Sequence, residues 1–66
     1  MHSETVVINV EGTDCTVTLN QIKPNSWMAI GQYKGRTVQI QHADSKGDAR
    51  NEWDYKARSI ADLEYF

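Results

Sequence analysis

Trp27-Met-Ala-Ile-Gly-Gln-Tyr-Lys-Gly-Arg-Thr-Val-Gln-Ile-Gln41 is the stretch whose reading decides the fold. Two runs, Trp27 to Tyr33 and Arg36 to Gln41, flank Lys34-Gly35. A two-residue link ending in glycine between such runs predicts a hairpin turn. In that register Tyr33 opposes Arg36, Gly31 opposes Val38 and Ala29 opposes Ile40. Side chains alternate between faces along a strand. Trp27, Ala29, Gly31, Val38 and Ile40 therefore share one face, and Met28, Ile30, Thr37, Gln39 and Gln41 share the other. Ala29 and Gly31 leave the first face shallow at its centre, so a bulky group from elsewhere must lie there.

Downstream, the sequence supplies that group. Ser45 is a candidate helix N-cap, with Asp48 three residues on as an approximate capping box. Ala49, Trp53, Ala57 and Ile60 then recur at spacings of four, four and three, which is one helical face. Glu52 with Lys56 and Asp54 with Arg58 are i,i+4 pairs in the favourable order. The spacing predicts a helix ending near Ala61 to Leu63, with Trp53 over the spot left by Ala29 and Gly31 and with Tyr65 and Phe66 beyond it.

Upstream, Thr5-Val-Val-Ile-Asn-Val10 puts Val6, Ile8 and Val10 on one face and Val7 and Asn9 on the other. Glu11-Gly-Thr-Asp14 supplies turn residues, and Gly12 is free to take positive φ. Cys15, Val17 and Leu19 then alternate with Thr16, Thr18 and Asn20, completing a first hairpin. Asn20-Gln-Ile-Lys-Pro-Asn-Ser26, with the chain's one proline, reads as a loop. The expected architecture is an α+β fold: a four-stranded antiparallel sheet of two hairpins, with one C-terminal helix packed on one face.

Sixty-six residues form one small domain, residues 1–66, of thin stability. Hydrophobic residues are 39% and are patterned, which argues against disorder. No apolar run approaches the roughly 20 residues of a membrane-spanning helix. The opening Met-His-Ser-Glu has neither the basic nor the apolar region of a secretory signal, so a soluble, cytoplasmic chain is expected. One cysteine makes no internal disulfide, and Cys15, on the face of Val17 and Leu19, reads as a small buried hydrophobe.

Catalytic and metal-binding patterns are lacking. His2 sits at a terminus expected to fray. His42 and Asp44 on a loop fall short of a metal's ligand set. Asp44 and Asp48 are explained by the helix dipole. Gly31, Gly35 and Gly47 form no phosphate loop. No catalytic residue, metal, cofactor or small-molecule substrate is expected, and an enzyme is not.

Two binding readings stay open. The face the helix leaves uncovered carries Val7, Met28 and Ile30 among Thr, Gln and Asn residues. Exposed β-branched residues are ordinary on a sheet, but the same residues could form a self-association face in so short a chain. The formal net charge is −2, yet six of the seven basic residues, Lys34, Arg36, Lys46, Arg50, Lys56 and Arg58, lie within residues 34–58. Lys34 and Arg36 at a hairpin tip, with Lys46 and Arg50 at a helix start, are candidate phosphate contacts. Asp44, Asp48, Glu52 and Asp54 are interleaved with them, as on a solvated face.

The run Trp27-x-Ala29-x-Gly31-x-Tyr33-x-Gly35, followed by Ser45-x-x-x-Ala49-x-x-x-Trp53-x-x-x-Ala57-Arg58, resembles a group of small uncharacterised bacterial proteins that pair a Trp-containing hairpin with a Trp-containing helix. That resemblance covers residues 27–58 and implies a fold unit without a known activity. The order hairpin, Ser45-Lys46-x-x-Ala49, helix is also similar to the C-terminal half of double-stranded RNA-binding domains, which implies phosphate contact by Lys46 and Arg50. This chain departs from those domains in having no N-terminal helix, Gly47 in place of a second Lys, and Asp48 beside the contact. The function expected is a binding or interaction module, with a protein partner or a second copy, and nucleic acid as the alternative.

Overall fold

The computed structural model describes residues 2–63. Strands β1 (Ser3–Val10), β2 (Thr13–Lys23), β3 (Ser26–Tyr33) and β4 (Arg36–Ala43) precede one helix, α1 (Lys46–Leu63). The strands form an antiparallel meander in the order β1-β2-β3-β4, and α1 packs against one face. Tyr65 and Phe66, expected beyond the helix, lie outside the described residues.

Two of the three turns are made by residues that accept positive φ. Glu11 and Gly12 have φ of 51° and 85°, Lys34 and Gly35 of 51° and 82°. Two consecutive left-handed residues make a type I′ turn, whose twist matches that of the strands it joins. The first turn is thus two residues long, with Thr13 and Asp14 already in β2. Asn9 braces it, accepting from the Gly12 amide at 3.1 Å and donating to Asp14 at 2.9 Å.

The segment around Pro24 corrects a sequence expectation. Residues 20–26 are not a loop: β2 continues to Lys23, which pairs with Ser26 across the two-residue turn Pro24-Asn25. Proline's φ is locked near −65°, so type I′ geometry is barred there. The ladder instead slips between Gln21 and Lys23, and Ile22, in the irregular stretch, is 44% exposed.

A second irregularity extends β4 beyond its expected end at Gln41. Ala29 pairs with Ile40, but Trp27 pairs with Ala43, so β4 carries an extra residue. His42 takes φ of 67° there, and Ala43 is turned into the core.

The covered face is organised around Trp53. The indole is fully buried, donates from Nε1 to the Val38 carbonyl at 2.9 Å and lies against Gly31. A Cβ on Gly31 would stand 3.1 Å from Trp53 Cζ2 and 2.8 Å from the Thr16 carbonyl oxygen, so only glycine leaves this space. Burying an aromatic of this size removes about 150–250 Å² from water, worth roughly 4–6 kcal/mol. A 66-residue domain has a total stability of about 3–10 kcal/mol, so this contact carries a large share.

Trp27, Ala29, Val38, Ala49 and Ala57 are buried with Trp53, while Gly31, Ile40 and Ile60 are half-buried at the margin. Tyr33, 1% exposed, belongs to the same core. It follows Gly31 in the alternation, so the signal for its burial was present in the sequence. Ser45 caps the helix: its Oγ accepts from the Asp48 amide at 3.1 Å and its carbonyl from the Ala49 amide at 2.9 Å.

Candidate interaction surface

The uncovered face is built by the alternation that fills the core. With Val6, Ile8 and Val10 directed toward α1, the side chains of Ser3, Thr5, Val7 and Asn9 point away from it. On β2 the residues facing away are Asp14, Thr16, Thr18 and Asn20, on β3 Met28, Ile30 and Gln32, and on β4 Thr37, Gln39 and Gln41. Outside the two irregular stretches this face therefore carries a single ionisable side chain, Asp14 at one end, in a chain of which 24% is charged. The centres of interfaces are depleted in charged residues relative to the rest of a protein's surface.

The predicted apolar residues on this face do not merge into one patch. Register sets Thr5, Thr18, Ile30 and Gln39 in one row across the sheet, and Ser3, Asn20 and Met28 in another. Met28 and Ile30 are neighbours on β3 and half-buried. Val7 stands apart on β1 at 58% exposure. The surface is a field of hydroxyls and amides with aliphatic points.

Both sheet edges are addressed by the helix. Antiparallel strands direct the backbone groups of alternate residues to opposite sides. The Gln21 amide donates to the His2 carbonyl at 2.8 Å, so even-numbered residues of β1 bond to β2 and odd-numbered ones face outward. His2 is thus held in the ladder, with its ring edge-on to Trp27 at 6.5 Å, rather than frayed. Arg58 Nη2 donates to the Asn9 carbonyl at 3.4 Å, on the β1 edge. Lys56 Nζ donates to the Gln39 carbonyl at 3.0 Å, on the β4 edge. Of the two expected helix pairs, Asp54 with Arg58 forms at 3.0 Å, while the Lys56 ammonium goes to β4.

The four candidate phosphate contacts are divided between the ends of the sheet. Lys34 and Arg36 sit at the β3–β4 turn, with the Lys34 ammonium 5.5 Å from the centre of the Tyr33 ring. Lys46 and Arg50 begin α1, past the far end of β4, whose eight residues span about 23 Å. Lys46 is also engaged, 3.2 Å from the Glu4 carboxylate. Nearness in sequence suggested one patch; the direction of β4 separates it into two.

Cys15 is 2% exposed with its thiol 3.6 Å from the Thr13 carbonyl. Burial, added to by the carboxylates of Asp14 and Asp54, pushes its pKa up. The neutral thiol is therefore favoured, not the nucleophilic thiolate. Among the described residues no group of three His, Cys, Asp or Glu side chains is placed to hold a metal ion. No described helix is long and apolar enough to cross a membrane.

Between α1 and β4 runs an open trough of about 580 Å³, lined by Ile40, Asn51, Glu52, Tyr55, Lys56 and Ser59. The trough is unenclosed, and Tyr55 on its wall is 76% exposed. Comparison with protein-family models, curated proteins and solved structures finds no match to this chain.

Proposed function

We propose that this domain is an interaction module, acting by contact rather than catalysis, whose contact region is the uncovered face of the sheet around Val7, Met28 and Ile30. The observation that carries the reading is the near-absence of charge on that face, with Asp14 its one ionisable side chain outside the irregular stretches. A face of Thr, Asn, Gln, Met and Ile can be desolvated at moderate cost, because hydroxyls and amides find new hydrogen-bond partners and no charge must be buried. The partner is a protein surface.

Binding of nucleic acid through Lys34, Arg36, Lys46 and Arg50 is the rival outcome. The length of β4, about 23 Å, which lies between the turn of Lys34 and Arg36 and the start of α1, and the ion pair of Lys46 with Glu4 weigh against it.

An amide-shift NMR experiment with two arms tests the reading. In a dilution series from millimolar to micromolar chain, resonances on the uncovered face should move, and Ile30→Lys should abolish the movement while the variant stays folded. In the second arm, short DNA and RNA duplexes are added at about 50 mM and about 200 mM salt, a range over which phosphate contacts weaken sharply. Shifts at the four basic residues that fade at high salt would replace the proposal with nucleic-acid binding.

A further inference from the structure

We infer that the partner is a second copy of this chain, joined edge to edge by antiparallel pairing of β1 with its counterpart. The inference rests on the reading of this domain as an interaction module and adds a contact at the β1 edge, separate from the uncovered face, whose dilution shifts Ile30→Lys on the inner strand β3 leaves in place.

The argument begins with the backbone. Odd-numbered residues of β1 direct their N–H and C=O groups away from β2, as the bond from Gln21 to the His2 carbonyl requires. Of these, Asn9 already has its carbonyl held by Arg58. Ser3, Thr5 and Val7 remain, on a strand whose register with β2 runs without a shift from Ser3↔Asn20 to Val10↔Thr13. Exposed edges invite another strand, and proteins blunt them with bulges, lysines or proline. Residues 3–7 contain no bulge, lysine or proline; their one charge, Glu4, is paired with Lys46 at 3.2 Å.

The opposite edge does contain them. On β4 the register slips before Ala43, His42 is bent to φ of 67°, and Lys56 occupies the outward carbonyl of Gln39. One sheet thus has a blunted edge and a regular one. The helix lies mainly over β3 and β4; on the β1 side Lys46 reaches Glu4 and Arg58 reaches Asn9, and Ser3, Thr5 and Val7 have their outward groups between those two contacts.

A second copy fits this edge with every outward group used. A two-fold axis through Thr5 opposes Thr5 to Thr5 and Ser3 to Val7. Each N–H and C=O of the three residues then meets a partner, and Asn9 keeps its bond to Arg58. The register also sets Glu4 opposite Val6 rather than another glutamate, and Lys46 already neutralises Glu4 at 3.2 Å. The two sheets become one of eight strands, and their uncharged faces become continuous. Contact through a three-residue edge is small, so the dimer belongs to the weak class, dissociating in the micromolar to millimolar range.

Sedimentation equilibrium and amide hydrogen exchange, each over a concentration series, test this on the whole chain. The expected result is a dimer at millimolar concentration, with Thr5 and Val7 amides protected there and exposed on dilution. Thr5→Pro removes an outward N–H and leaves the β1–β2 ladder intact, as edge strands allow. It should weaken the dimer at least tenfold, whereas Thr37→Pro on the β4 edge should leave it unchanged. Should Thr5→Pro fail to fold, Ser3→Pro, which removes the outward N–H at the start of the same strand and touches none of Val7, Met28 and Ile30, is expected to fold and to weaken the dimer. A chain that stays monomeric at millimolar concentration overturns the inference. So does a dimer that survives Thr5→Pro with freely exchanging Thr5 and Val7 amides. If that dimer is lost in Ile30→Lys, edge pairing fails and the face reading stands; if it is indifferent to Ile30→Lys as well, both fail.

Discussion

The two faces of this sheet come from the same four strands, one residue to each face in turn, yet their chemistry is opposite in kind. The covered face is a jigsaw. Trp53 enters a hollow that exists because residue 31 has no side chain, and its indole N–H finds the Val38 carbonyl. The uncovered face has no such key residue; its rows of Thr, Asn and Gln differ from the core in polarity and from an ordinary surface in lacking charge. Shape decides the first face and composition the second. Substitutions should therefore be costly on one and nearly silent for stability on the other.

The largest effect is expected from Trp53→Ala, a loss of about 3–5 kcal/mol in urea or thermal unfolding. An unchanged melting temperature would refute the helix-on-sheet packing. Gly31→Ala comes next. The added methyl would stand 2.8 Å from a backbone oxygen that cannot rotate away, and a cost of about 1–3 kcal/mol follows. A smaller effect, confined to alkaline pH, belongs to Cys15. Its pKa is raised in the folded state from an ordinary value of 9.0, so folding favours the protonated thiol. The stability it contributes is complete below pH 9.0 and is lost as pH rises through the folded-state value. The difference in stability between the parent and Cys15→Ala, followed across that interval, isolates it from other alkaline titrations. Smallest of all, Ile30→Lys should alter stability by no more than about 0.5–1 kcal/mol, because the lysine head reaches water past half-buried surroundings. A loss comparable to that of Trp53→Ala would erase the contrast between the faces.

Much of the covered face could be read before any coordinates. Ser45 as N-cap, the Tyr33↔Arg36 closing pair and Trp53 above Gly31 all follow from local preference and from spacings of two and of three to four. Two stretches resisted for opposite reasons. Pro24 and its neighbours resemble a loop because proline and asparagine are common there, but the strands on either side find enough partners to close the turn to two residues. His42 should alternate to the core side after Ile40. The buried alternative would enclose an imidazole, so the strand inserts a residue and sends Ala43 inward instead. How far apart the two pairs of candidate phosphate contacts stand was not legible, because the sequence does not display which end of β4 each belongs to.

What the amino-acid sequence determined by itself is the set of elements, their pairing as two hairpins and the identity of the residue that plugs the sheet, because each rests on contacts within a few positions or on strict alternation. The tertiary structure alone decided where the ladders slip, which basic residues are neighbours, and how the helix serves the two edges. Those outcomes depend on residues far apart in the chain competing for the same hydrogen bonds. Lys56 can satisfy Gln39, and Arg58 can satisfy Asn9, only once the helix lies across the sheet.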